Sequence, residues 1–174
     1  LWFDLELWSQ VIEGLGERLS AEFPEHQALI TTNQRQLVSK TLALHDSITE
    51  SLAQIPDSAR VLITAHDAFK YFGRAYAVEV RGLQGISTTA EYGIRDIKDL
   101  SDFIVRRKLK AVFIESSVSP RAIEALQEAC AAKGWTVKLG GQLYSDALGG
   151  AKSGADHYLP MVRKNVSTIK TALQ

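Results

Sequence analysis

Ala111-Val112-Phe113-Ile114-Glu115-Ser116-Ser117-Val118-Ser119-Pro120 decides the fold. A short apolar run, Ala111 to Ile114, meets a polar turn, and Ser119-Pro120 then reads as an N-cap followed by Pro at the first helical position. The helix so opened extends to Lys133, with Gly134 as its stop. Working outward, the same unit recurs. Val61 to Thr64 is a β-branched strand that runs into Ala65-His66-Asp67, and Phe69 to Tyr76 is helical with an aromatic face. Val78 to Leu83 is a second strand, followed by a loop from Gln84 to Thr89. Ile94 to Lys108 is an amphipathic helix whose last turn carries Arg106-Arg107-Lys108, where the helix dipole favours cations. Val137 to Leu139 is a fourth strand, Gly140 to Gly154 a loop and Tyr158 to Leu173 a last helix. Strands alternating with helices predict an α/β fold: a four-stranded parallel sheet flanked by helices. Val61, Ile63, Val112, Ile114 and Val137 should be buried in it, with Phe69, Phe72, Phe103, Leu126 and Cys130 on its faces.

Two helical patterns precede this unit. Leu5, Trp8, Val11, Ile12, Leu15 and Leu19 repeat at three and four up to Phe23, and Pro24 closes that helix. Ile30, Leu37, Leu44, Ile48, Leu52 and Ile55 mark a second from Glu25 to Ile55. At ~1.5 Å per residue it would be about 45 Å long, more than the roughly 30 Å across a small domain. A dimeric coiled coil would account for such a length, but Thr31, Thr32, Gln34 and Thr41 interrupt the seam a zipper keeps apolar.

The chain has 174 residues, of which 45% are hydrophobic, enough for one globular core and too few for two full-sized ones. Twenty basic residues balance 20 acidic ones, so the electrostatic footprint of nonspecific nucleic-acid or anionic-membrane binding is missing. A single cysteine, Cys130, excludes an internal disulfide framework and a thiolate zinc finger. No apolar run approaches the roughly 18 residues of a membrane span, so no integral membrane segment is expected. With neither an initiator Met nor a signal peptide, the chain reads as an excised piece.

In parallel α/β sheets ligands bind at the carboxyl ends of strands. The first strand ends at His66, the third at Glu115-Ser116-Ser117, and the fourth leads to Tyr144-Ser145-Asp146. His66, Glu115 and Asp146 are therefore expected on one edge. Singly, His66 could cap a helix, Asp146 could serve a turn, and Ser116 and Ser117 read as turn residues because no G-x-S-x-G elbow surrounds them. Lys152-Ser153 fails as a P-loop, since Ala151 stands where Gly is needed. His26, His45 and His157 form no metal-binding pair by spacing.

Thr64-Ala65-His66-Asp67-Ala68-Phe69 with Tyr71-Phe72, Gly82-Leu83-Gln84-Gly85-Ile86-Ser87, Phe113 to Pro120, and Tyr144-Ser145-Asp146-Ala147-Leu148-Gly149 together resemble the substrate-binding proteins of bacterial ABC importers for zinc and manganese. Leu1-Trp2-Phe3-Asp4 resembles the segment just after a metal-binding histidine in that family. The resemblance implies two α/β lobes joined by a long rigid helix, with the metal between them. Residues 1–23 would then be a helix from the end of an absent first lobe, residues 24–56 the interlobe helix, and residues 57–174 the C-terminal metal-binding lobe. It further implies His66 as the third metal ligand and Asp146 as the fourth, with Glu115 orienting its neighbours rather than binding the ion. No catalytic residue is implied. The expected cargo is zinc or manganese, with iron also compatible, and the expected partner an ABC permease at the periplasmic or extracellular face of the cytoplasmic membrane. Two other functions compete: surface adhesion on the same fold, and metal-dependent hydrolysis by Glu115, His66 and Asp146.

Overall fold

The computed structural model describes residues 1–83 and 93–174. The loop expected from Gln84 to Thr89, and Gly85, Ile86 and Ser87 of the resemblance, lie outside the described residues.

Helix α1, Leu5–Glu22, starts where Asp4 caps it, the carboxylate accepting from the Leu7 amide at 3.1 Å. A single 3₁₀ turn, Pro24–His26, leads into α2, Gln27–Ala53. The long helix predicted from Glu25 is thus present, with a 3₁₀ first turn where Pro24 fixes the backbone. Its 27 residues span about 40 Å at the α-helical rise. α1 packs antiparallel against its first half. Gly16 makes that approach possible, because a Cβ there would stand 2.5 Å from the Gln34 side chain, whose amide donates to the Glu13 carbonyl at 2.9 Å. The buried residues of α2, Thr41, Leu44, Ile48 and Leu52, all lie in its second half, while Leu29 is 62% exposed and Leu37 41%.

The α/β unit follows: β1 Val61–Thr64, α3 Lys70–Tyr76, β2 Glu79–Gly82, α4 Ile94–Arg107, β3 Ala111–Glu115, α5 Arg121–Ala132, β4 Lys138–Leu143 and α6 Tyr158–Leu173. Both ladders are parallel, as alternation with helices requires. β1 pairs with β2 from Val61↔Glu79 to Thr64↔Gly82, and β3 pairs with β4 from Ala111↔Lys138 to Glu115↔Leu143.

The single four-stranded sheet is corrected to two sheets of two strands. β1 lies beside β3, yet among the described residues no backbone hydrogen bond joins them. The seam is closed by side chains. Val61, Ile63 and Val112 enter one apolar cluster with Phe103, Ile104, Leu126 and Cys130 of α4 and α5. Leu62, Ala111 and Phe113 enter another with Ile48, Phe69, Phe72, Val162 and Ile169. Period-two alternation assigns residues to faces, and says nothing of which backbones share hydrogen bonds. Of the residues expected in the sheet interior, Ile114 is only half-buried.

The fourth strand also runs further than expected, through Gly140 and Gly141 to Leu143. The ladder shifts register between Val112 and Phe113, opposite these glycines. A Cβ on Gly140 would stand 2.7 Å from the Phe113 ring and 2.8 Å from Ala172, and Gly141 adopts φ +133°. Two glycines that read as loop punctuation are instead what lets β4 slide between Phe113 and α6.

Gly140→Ala should therefore destabilise the fold by about 1–3 kcal/mol through overpacking, measured by urea unfolding. Amide exchange should be slow from Val38 to Leu52, the part of α2 that is packed on the α/β unit, and faster toward Gln27.

Candidate metal centre

His66 follows β1 by two residues, and Thr64 holds the turn through a 2.8 Å bond from its hydroxyl to the His66 carbonyl. The imidazole is 1% exposed and lies between two carboxylates. On the inner side Glu115, the last residue of β3 and 2% exposed, accepts the His66 backbone N–H at 2.9 Å through Oε1. Its Oε2 stands 2.6 Å from ring Nδ1, off the line of a hydrogen bond, so that contact is electrostatic. On the outer side Nε2 faces Asp146 Oδ2 at 3.1 Å, and the Asp146 side chain is 41% exposed. Burial pushes the Glu115 carboxyl above the ordinary range, opposed by the His66 N–H, the His66 ring and the neighbouring Ser145 hydroxyl.

The loop bearing Asp146 is held from three sides. Asn165 on α6 bonds both polar groups of Tyr144, accepting from its N–H at 2.9 Å and donating to its carbonyl at 2.7 Å. The Trp2 indole donates to the Ser145 carbonyl at 3.2 Å, while the Tyr158 hydroxyl donates to the Trp2 carbonyl. The Ser117 and Ser145 hydroxyls are 2.5 Å apart, and Ser117 reaches Asp146 Oδ2 at 3.4 Å. The segment before α1 is fastened to the same edge, since Phe3 stacks on Phe69 at 4.6 Å between centroids and Asp4 pairs with Arg74 at 2.9 Å.

The three residues expected at the carboxyl edge are thus brought together. The other histidines are elsewhere: His26 pairs with Glu25, His45 lies against Tyr76, and His157 precedes α6. Ser117, which reads as a turn residue, joins the site, and so do Ser145, Trp2 and Asn165. Asn165 had a readable signal, because it occupies a core-face position among Met161, Val162, Val166 and Ile169 of an amphipathic helix. Trp2 and the two serines lie in blocks that carry the family resemblance, but their contacts at the site were not readable, as their partners are distant in sequence.

Among the described residues no three His, Cys, Asp or Glu side chains form a cluster that could hold a metal. The edge offers one imidazole nitrogen and one carboxylate, a donor pair that suits zinc, manganese or iron(II) and fills only part of a shell. Glu115 faces Nδ1, which leaves Nε2 as the outward nitrogen.

Comparison with known proteins gives the same frame. The family described as ZnuA, zinc-uptake complex component A, periplasmic, matches residues 1–172. The chain is 42% identical over 176 residues to the manganese-binding lipoprotein MntA of Bacillus subtilis (strain 168), an alignment that takes in 100% of this chain and 57% of that protein. It is 41% identical over 173 residues to the zinc-binding protein TroA of Treponema pallidum (strain Nichols), covering 99% of this chain and 56% of the other. Among solved structures, the periplasmic zinc-binding protein TroA from Treponema pallidum superposes with a TM-score of 0.95 at 41% identity, and Fe(III)-bound YtgA from Chlamydia trachomatis with 0.91 at 26%. Each superposition covers 99% of this chain and 62% of the other. The chain spans a little over half the length of these curated relatives.

Proposed function

Because the chain belongs to the ZnuA family of periplasmic zinc-uptake components, we propose that it is the C-terminal part of a metal carrier. The whole protein would capture zinc or manganese, or iron, on the extracytoplasmic face of the membrane and hand the ion to an ABC permease. Residues 57–174 form the metal-binding lobe in this reading, α2 the helix between lobes, and residues 1–23 the end of the other lobe. The observation that carries it is the single outward imidazole nitrogen of His66, facing Asp146 at 3.1 Å on the carboxyl edge of the sheets. His66 and Asp146 are the metal ligands, and Glu115 orients the ring from behind.

Carriage fits this geometry better than hydrolysis does. A metal-dependent hydrolase needs a base beside the metal-bound water, in addition to an open coordination position. Glu115 is the remaining carboxylate of the cluster, and it is buried with one oxygen on the His66 amide and the other against the ring. Among relatives, MntA is named a manganese-binding lipoprotein and TroA a zinc-binding protein. That pair of names, on one fold, fits a nitrogen and carboxylate donor set that does not by itself dictate one ion.

With only two protein ligands, at least half of a four-coordinate shell is left to water, so this chain alone should bind weakly. Imidazole must be neutral to ligate, and the metal displaces whatever proton Nε2 shares with Asp146. Binding should therefore release protons and weaken in acid. Calorimetric titration with zinc and manganese tests the assignment. His66→Ala and Asp146→Ala should each weaken binding at least about tenfold, and Glu115→Gln should do less, as expected for a group behind the ligand. Heats that vary with the ionisation enthalpy of the buffer would register the released proton. Unchanged affinity in both alanine variants would mean that the ion is held elsewhere.

A further inference from the structure

We propose that Asn165 is a positioning residue of this site: it pins the register of β4 and so fixes which residue of the following loop, Asp146, stands opposite His66; the proposal rests on the carrier reading above. The β3–β4 ladder ends at Leu143, whose carbonyl accepts from the Ser116 N–H at 2.8 Å. Past that point a side chain takes over. Asn165 Oδ1 accepts from the Tyr144 N–H at 2.9 Å and its Nδ2 donates to the Tyr144 carbonyl at 2.7 Å, the double exchange that a paired residue on a neighbouring antiparallel strand would make. Nδ2 also lies 3.4 Å from Met161 Sδ, and Asn165 is 2% exposed, so the amide has one orientation and a fixed place in the core. Tyr144 stands two residues before Asp146.

β4 needs such a pin. Register is held by side chains that a slip would carry to the wrong face, and Gly140 and Gly141 have none. The ladder already shifts register between Val112 and Phe113, opposite them. α6 meets this stretch through Asn165, Thr168 and Ala172, spaced at three and four on one helix face. Thr168 presents a methyl group to Gly141 and Ala172 its own to Gly140, where an added Cβ would stand 2.7 and 2.8 Å from them. Such apolar contacts have no preferred direction along a strand. Of the three, Asn165 alone bonds to the strand end among the described residues, so the register is read there. A slip of one residue would bring Ser145 or Ala147 to the place of Asp146, and neither carries a carboxylate. Asn suits the task because its short side chain combines a donor and an acceptor in one flat group.

Zinc titrations of the isotope-labelled chain, read by NMR at the His66 ring nitrogens and the Asp146 carboxyl carbon, test this on Asn165→Leu, Asn165→Ala and Leu173→Ala. Leu matches the shape of Asn165 without its polar ends, and Ala is read in its place if the Leu variant does not fold. Leu173→Ala loosens the far end of the same helix, where Leu173 is 5% exposed. In the unmodified chain both signals should move with zinc. In the Asn165 variants the His66 signal should still move while Asp146 no longer responds, and zinc affinity should fall at least about tenfold. Without metal, their Tyr144 amide should exchange at least about tenfold faster. Leu173→Ala should keep both responses and an affinity within about threefold. An Asp146 response retained in the Asn165 variants, or lost equally in Leu173→Ala, overturns the assignment of Asn165 while the carrier reading stands. If neither signal moves in the unmodified chain while zinc binds, the carrier reading falls and the assignment of Asn165 with it.

Discussion

The carboxyl edge depends on one side chain placed between two charges. The His66 imidazole lies between Glu115, buried at the end of β3, and Asp146, partly exposed beyond β4. A buried carboxylate without a partner is costly, and a buried ring nitrogen without one is nearly as poor. Oε2 and Nδ1 meet at 2.6 Å in an electrostatic contact, and the hydrogen bond between the two residues runs from the His66 backbone N–H to Oε1 at 2.9 Å. Among the described residues the two small sheets exchange no backbone hydrogen bonds across their seam, so this contact is a polar link between the end of β1 and the end of β3.

From that pair the rest of the edge follows outward. Asp146 is useful only if its loop is fixed, and the fixing groups come from distant parts of the chain: Asn165 on α6, Trp2 before α1 and Ser117 after β3. Trp2, Phe3 and Asp4 all fasten to the α/β unit, which places the start of α1 against the carboxyl edge of the sheets. α1 then turns at Pro24 and packs back on α2, whose second half is anchored in the core by Leu44, Ile48 and Leu52. The fold thus brings the first residues of the chain and the carboxyl edge of the sheets to one place.

Much of this was legible in the residues. Apolar periodicity located the six α-helices of the described residues to within about two residues, because each buries one face against the sheets or another helix. The strand ends pointed to His66, Glu115 and Asp146 because a parallel sheet collects its carboxyl termini on one edge. Lateral pairing was not legible, since alternation is the same whether β1 and β3 share hydrogen bonds or only side-chain contacts. In the sequence Gly140 and Gly141 read as loop, because the need for glycine arises from Phe113 and Ala172 against Gly140 and Thr168 against Gly141, all remote in sequence. The contacts of Ser117 were not legible for a related reason: a serine in a turn has a local explanation, and its partners are 28 and 29 residues away.

Imidazole nitrogen NMR of His66 during a zinc titration tests the central claim most directly, since it distinguishes the two ring nitrogens. With Glu115 behind the ring, Nδ1 should keep its proton throughout, and Nε2 should take on the shift of a metal-bound nitrogen as zinc is added. Coordination through Nδ1, or a His66 ring that does not respond while zinc binds, would contradict the assignment of the site.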